Sequence, residues 1–498
     1  MKRLLFIAAL TSIVFQINAQ TPAGNAFRID YDQFQGSGIL KYLRADYGPD
    51  MNTGDELTAM AWIQLRDIGD NQKIMGRFNL DNTGYVLGVN QFRIYPEVWN
   101  PTQYNPQEFG FMNPLSQWWY HISMTYTRGD AFRIYLNGEE VGSVPVSDAP
   151  ITDNLHDLII GISPWADFNS FQTFGNLEEV CMFNQALSAE EIRMIMFGGL
   201  TGNEEGLVAG YNFNNPVGND IEDLSSFGYT AQGQGFNGTE WVSSEAPIAD
   251  ASTADAMDLR AVWNGKSLTD PRFTTGANGL NMIASGLDTT DYVLFGHDGS
   301  NGITDADIPS NAGDNFMRST RIWSVTSFGG AAVDFAFNLS DAAGGGAELD
   351  ASQVAENYTL LFRDAGEATF QAYASASSIN NGVVLFEDFI ALSGEVAIGV
   401  GTTPTDPSGV YEQIIDDAIT VSPNPSNGIF SMDLNTRFSG IARLDILDGL
   451  GRIVDTRLLT LNGNLSNEVI NISGEASGIY IIRISTPESI YTHQLSVK

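Results

Sequence analysis

From residue 22 to about 246, hydrophobic positions recur in short segments separated by Gly, Asn and Asp. The segments 56–65 (ELTAMAWIQL), 84–89, 92–95, 118–126 and 132–136 alternate or run apolar, as strands do. Three more, 158–161, 177–183 and 207–213, continue the series. Asn137-Gly138 lies between FRIYL and EEVGSV, and a two-residue type I′ hairpin wants residues that tolerate positive φ at both positions. Ser188 followed by Glu191 reads as a capping box that opens a short helix over 189–196, with Gly198-Gly199 closing it. Many short strands and one stub of helix predict a β-sandwich.

The stretch 255–402 reads as a second β unit, with strands at 291–296, 321–325, 332–339, 358–362, 368–373 and 382–386. In AVDFAFNL, Val333, Phe335, Phe337 and Leu339 share one face while Asp334 and Asn338 share the other. Two composition shifts mark its limits: a small, polar run at 247–254, and the Thr-, Pro- and Asp-rich stretch 401–417.

Several motifs then occur in a fixed order. Trp119-Tyr120-His121 leads a strand, and Tyr135-Leu136-Asn137-Gly138 makes the hairpin. Gly175 opens an acidic strand through Glu178 and Glu179, and Ala186-Leu187-Ser188 precedes Glu190, Glu191 and Ile192. This ordered set resembles the laminin G-like, concanavalin A-type jelly roll over about residues 24–240. Where that family usually has Asp in its acidic strand, this chain has Glu178, so no calcium role is carried to it. Phe295-Gly296-His297, Arg318, Arg321-Ile322-Trp323 and the VDFAFNLSD strand resemble a module recurring in bacterial surface proteins, which implies no activity.

The clearest resemblance is at the end of the chain. Pro423-Asn424-Pro425 and Gly428 are followed by Gly449 and Gly451, then by Gly478 and Tyr480, and Lys498 is the last residue. This resembles the type A sorting domain of the bacterial type IX secretion system, which implies export across the outer membrane, handling by that machinery, and cleavage in the preceding linker. The expected fold is all-β: a jelly-roll sandwich at 22–246, a second β-sandwich at 255–402, a linker at 403–418, and a small immunoglobulin-like β-sandwich at 419–498.

Charge and composition narrow the function. Of 498 residues, 60 are Asp or Glu and 24 are Lys or Arg, a formal charge of −36. Nucleic acid is thereby disfavoured as a partner, because its recognition needs basic patches. Residues 419–498 hold six Lys/Arg and seven Asp/Glu, so the acidity lies upstream of the sorting domain. A single cysteine excludes an intrachain disulfide. Lys2 and Arg3 precede an apolar run to Phe15 and a small residue at Ala19, the pattern of a cleaved signal peptide over 1–19. No later stretch reaches the roughly 20 apolar residues of a membrane-spanning helix. The expected location is secreted or attached to the outer-membrane surface.

No catalytic residue is assigned. There is no G-x-S-x-G elbow, and the four histidines, at 121, 156, 297 and 493, are scattered. Cys181 reads as a small buried hydrophobe and His121 as structural. Glycosidases need two carboxyl groups a few ångströms apart. On a regular strand the adjacent Glu178 and Glu179 would point to opposite faces and could not pair.

Binding is favoured. Tyr95, Trp99, Tyr104 and Trp118 cluster around the long loop 96–116, where aromatics either stack on sugar rings or pin the loop to the sandwich. Calcium is the one candidate ion, at Asp298, Asp305, Asp307 and Asp314, although a solvated acidic loop is the plainer reading. The expected function is non-catalytic recognition of an extracellular carbohydrate or glycoprotein, in adhesion or nutrient capture. The alternatives are a structural surface or matrix protein and a glycan-cleaving enzyme.

Overall fold

The computed structural model describes residues 23–30, 40–66, 71–79, 83–99, 103–104, 109–112, 118–163, 171–263, 279–284, 291–310, 312–328, 332–344, 349, 354–391, 393–401, 414–415, 419–447, 453–473, 478–485 and 490–498. The expected signal peptide and most of the expected linker lie outside them. Among the described residues the chain is almost entirely strand, and no helix is long and apolar enough to cross a membrane.

The first module packs an eight-stranded sheet on an eleven-stranded one. At the centre of the first sheet, strand Glu56–Leu65 pairs antiparallel with Tyr120–Thr127 on one side and Gly175–Phe183 on the other. Leu57, Ala59, Ala61 and Ile63 enter the core between the sheets, together with Ile122, Met124, Leu177, Val180 and Met182. The opposite face of the same strand carries Met60 and Trp62, which are also buried, in two further clusters. That explains why ELTAMAWIQL runs apolar: a strand covered on both faces has no reason to alternate.

The hairpin and the helix form where the sequence places them. Asn137 and Gly138 have φ of 53° and 74°, joining strands Ala131–Leu136 and Glu139–Pro145. Asn137 Oδ1 also accepts the backbone N–H of His121 at 2.9 Å, tying the turn to the sheet. Helix Ala189–Gly198 begins with the full Ser188–Glu191 capping box and runs two residues beyond the expected end, stopping at Gly199 with φ 76°.

In the middle module an eight-stranded sheet faces a four-stranded one across a core that includes Trp323, Phe335, Phe337 and Phe386. Strand Ala332–Asn338 buries Val333, Phe335 and Phe337, as its alternation predicts. At the C-terminus, strands Ile429–Leu447, Ile453–Asn471, Gly478–Ser485 and Ile490–Val497 share a sheet with Ile419–Ser422. Ile414–Ile415, inside the expected linker, pairs parallel with Ile490–Val497 and belongs to that sheet.

The small, polar run after residue 246 is not a solvated tether. Ala246, Ile248 and Ala249 are buried in a cluster with Trp62, Trp119, Met196 and Phe197 of the jelly roll and Leu259, Trp263 and Leu294 of the middle module. The rings of Trp62 and Trp263 meet edge to face at 5.8 Å. Each indole N–H has a carbonyl partner, Met196 O at 2.8 Å for Trp62 and Trp119 O at 3.0 Å for Trp263. A buried indole needs such an acceptor, so both the polar and the apolar demands of Trp62 and Trp263 are met in the seam.

Candidate functional site

The acidic strand differs from its sequence reading. Glu178 pairs with Trp62 and Cys181 with Met60, so Glu179 and Val180 together oppose Ala61 alone, a β-bulge. Glu179 takes φ 49° at this kink. Leu177 and Val180 both face the core, and the two glutamates between them lie on the other side of the sheet. The expectation that they point to opposite faces fails because the extra residue breaks the period of two.

Both acids are closed in. Glu178 is 0% exposed and Glu179 4%, beneath helix Ala189–Gly198 and the seam. Burial, reinforced by Glu179, holds the Glu178 carboxyl well above the usual carboxylate range, and burial pushes Glu179 up to about 8. Glu179 Oε2 accepts the N–H of Leu200 at 2.8 Å and so fixes the chain leaving the helix. Beside them His121 is buried against Trp62, with ring centroids 5.3 Å apart, and its imidazole is pushed down to about 3 by burial alone. Cys181 is fully buried and its thiol is raised by that burial, matching the reading of a small hydrophobe.

The aromatic residues around the long loop are placed differently from one another. Trp99 is 2% exposed and stacks on Phe78 at 3.6 Å with planes 19° apart, so its ring face is taken. It pins the loop. Tyr95 is half-buried with Lys73 Nζ 4.7 Å from its ring centroid, and Lys73 in turn pairs with Glu97 at 3.0 Å. Trp118 is partly buried against the core. Tyr104 closes the short strand Gln103–Tyr104, which pairs with Glu97–Trp99.

The four acids named for calcium are likewise separately engaged or exposed. Asp298 accepts from Ser300 N and Ile322 N, and Asp307 faces Arg318 at 3.3 Å. Asp305 and Asp314 are exposed. Among the described residues, no group of three or more His, Cys, Asp or Glu converges to hold a metal ion.

Sequence reasoning missed the end of the jelly roll where the segments 46–55, 147–157 and 223–230 meet. The hub is Arg77, 1% exposed, whose guanidinium donates to Met51 O, Asn52 Oδ1, Asn154 O and His156 O. Burial lowers its pKa, and the neighbouring Tyr85 and Tyr47 hydroxyls act in the opposite sense. A shallow depression lies over Arg77, lined by residues that include Asn52, Thr53, Asp153 and Asn154. Tyr229 Oη donates to Asp50 Oδ2 at 2.8 Å, joining the 223–230 segment to this rim. The only hint in the sequence was the pair Phe227 and Tyr229 in a turn-rich stretch.

In the sorting domain, Asn424 Oδ1 accepts from Ser496 N at 2.9 Å, and Lys498 N donates to Ser426 O at 2.9 Å. The Pro423–Pro425 entry is thereby fastened to the chain's last strand. Gly428 has φ 90° with Ser473 so close that a Cβ would collide, Gly478 opens a strand and Tyr480 is buried. Gly449 and Gly451 lie outside the described residues.

Residues 40–193 match the family model for the concanavalin A-like lectin/glucanases superfamily, and residues 420–498 match that for the secretion system C-terminal sorting domain. No curated protein matches the chain. Among solved structures, the chain is similar to a candidate carbohydrate binding protein from Bacteroides ovatus, at 19% identity and TM-score 0.35, over 45% of this chain and 61% of that one. A SAP-like pentraxin from Limulus polyphemus is 15% identical with TM-score 0.26, over 35% of this chain and 82% of that one. The CBM40 of a Ruminococcus gnavus sialidase is 12% identical with TM-score 0.28, over 35% of this chain and 98% of that one. The assignment rests on the two family models. The chain thus carries a concanavalin A-like jelly roll at residues 40–193 and, at 420–498, a sorting domain that implies export by the type IX system to the surface or the surroundings.

Proposed function

We propose that this protein is an exported recognition protein that binds an extracellular carbohydrate or glycoprotein and does not cleave it. It serves adhesion or nutrient capture, with the sorting domain acting only in export. The superfamily matched by residues 40–193 includes both lectins and glucanases. The observation that favours the lectin side is the sealed acid pair. Glu178 and Glu179 come to the same side of the sheet, yet both are buried beneath a helix and a second module. A glycosidase needs its carboxyl groups on either side of a bound glycosidic bond, and no chain of sugars reaches these.

The test is binding of the purified chain to a broad glycan and polysaccharide array, with calcium and with chelator, alongside an assay for reducing-sugar release. Retention on a defined glycan with no sugar released is the expected result. Release of reducing ends would overturn the non-catalytic reading. Absence of binding combined with self-association would transfer the assignment to a structural coat or matrix protein. Loss of binding in chelator would bring Asp298, Asp305, Asp307 and Asp314 forward as ion ligands.

A further inference from the structure

The rim of the jelly roll carries an aromatic pair, of which Tyr229 packs against the core and Phe227 stands exposed. Phe227 is 42% exposed, and its ring lies parallel to that of Tyr229, with planes 1° apart and centroids 6.0 Å apart. The segment that holds the pair is built around one side chain. Asp223 Oδ1 accepts from Gly210 N at 2.8 Å and Ser225 N at 2.9 Å, while Oδ2 accepts from Ser225 Oγ at 2.6 Å and Tyr229 N at 2.8 Å. Tyr211 Oη donates to Tyr229 O at 2.6 Å from within the core. Gly228, with φ 72°, makes the turn between the two aromatics.

The ring of Tyr229 is fixed from behind as well. It packs so closely on Gly48 that a Cβ there would fall 2.1 Å from ring atoms. Its hydroxyl is held by Asp50, and burial followed by that carboxylate pushes its pKa up to about 12, so it stays a donor at neutral pH. Around the pair, Asp50, Glu222, Ser226 and Thr230 are exposed. An immobilised aromatic surface loses little conformational entropy when something binds to it.

Size and charge select the occupant. Two aromatic side chains offer at most about 300–500 Å². A stable protein interface needs roughly 800 Å² from each partner, so the pair is too small for one. The exposed ring of Phe227, backed by the parallel ring of Tyr229 and flanked by carboxylates and hydroxyls, fits a ring with a C–H face and a hydroxyl edge. The formal charge of −36 opposes an anionic sugar. We propose that the exposed ring of Phe227, held by Tyr229, is a stacking platform for an uncharged sugar ring, with Asp50 and the neighbouring polar groups accepting from its hydroxyls. This inference rests on the recognition reading above and places it at a named surface.

The experiment is calorimetric titration of the full chain with soluble β-glucan, galactomannan and xylan, with polygalacturonate as the charged control. The parent is expected to bind at least one neutral polymer. Phe227→Ala should weaken that binding roughly tenfold, the scale of one lost stacking face, with melting unchanged. Asp50→Asn should weaken it less. If Phe227→Ala melts lower, Phe227→Leu keeps the bulk without the flat ring and must show the same loss of binding. Equal affinity in the Phe227 variants and the parent overturns the platform and leaves the recognition reading standing. Tighter binding of polygalacturonate than of any neutral polymer overturns the choice of occupant. A parent that binds none of the four polymers overturns the platform, while the array decides separately whether recognition survives.

Discussion

The jelly roll meets the middle module through shared aromatic rings, whereas the sorting domain keeps its hydrophobic residues to itself. At the first junction Trp62, Phe197 and Trp263 contact one another edge to face or tilted, and the connecting residues 246–249 are buried with them. At the second, the cluster of Ile419, Phe430, Leu444, Ile482 and Leu495 draws only on residues 419–497 among the described residues. The charge regimes differ in the same way, nearly balanced in the tail and strongly acidic upstream. The lesson is physical. Two modules that each supply part of a core melt together, while a domain with a complete core of its own can be removed.

The largest effect should come from cutting into the shared core. Trp263 is 2% exposed, packs on Trp62 and Phe197, and donates its indole N–H to Trp119 O. Trp263→Ala should cost about 3–5 kcal/mol, the range for a buried aromatic replaced by alanine. In calorimetry of the full chain, one transition containing both upstream modules should move down while a second, from the sorting domain, stays in place. A shift confined to the middle module, with the jelly roll unmoved, would break the idea of a common core.

The next effect comes from proton linkage at the seam. Glu179 stands at about 8 in the fold against an ordinary 4.5, so its stabilisation is full below about 4.5 and is lost as pH rises through 8. Glu178 is shifted in the same direction. His121 stands at about 3 against 6.5, so its contribution is present above 6.5 and is lost as pH falls through 3. Between about 4.5 and 6.5 the Glu179 and His121 slopes oppose each other, and the upstream transition should be highest in this mildly acidic window. It should fall by an amount on the order of a few kcal/mol on the alkaline side. Glu179→Gln keeps an acceptor for Leu200 N–H and should shrink that alkaline loss. An unchanged pH profile in this variant would remove Glu179 as its source.

Much of this was legible in the chain. The Asn137-Gly138 hairpin, the Ser188 capping box and the alternation of Val333, Phe335 and Phe337 are local signals, each set by neighbours a few residues away. What escaped was set by distant contacts. Nothing near Glu178 announces the bulge, because the extra residue is visible only against strand Glu56–Leu65. Trp99 reads equally well as a platform or as a pin until Phe78, from another strand, is seen stacked on it. The run after residue 246 reads only as a shift in composition, because small residues are common both in tethers and in tight seams. The pairing of Phe227 with Tyr229 has no signature in the sequence, because only the fold of Asp223 around its loop brings the two rings parallel.

The smallest expected effect is the sharpest test of the contrast between the two junctions. Ending the chain at residue 401 removes the sorting sheet together with Ile414–Ile415, which pairs with its last strand. Strand Gly394–Val400 keeps its pairing with Met317–Ser319, Trp323–Phe328 and Tyr358–Arg363, and the core around Trp323 and Phe337 remains whole. The upstream transition should therefore stay within about 0.5 kcal/mol of its value in the full chain, the level expected of changes away from any core. Glycan binding should be equal as well, since the rim around Arg77 and Tyr229 belongs wholly to the jelly roll. A lower melting temperature in the shortened chain would mean that the sorting domain supports the cargo it exports, and the second junction would then resemble the first.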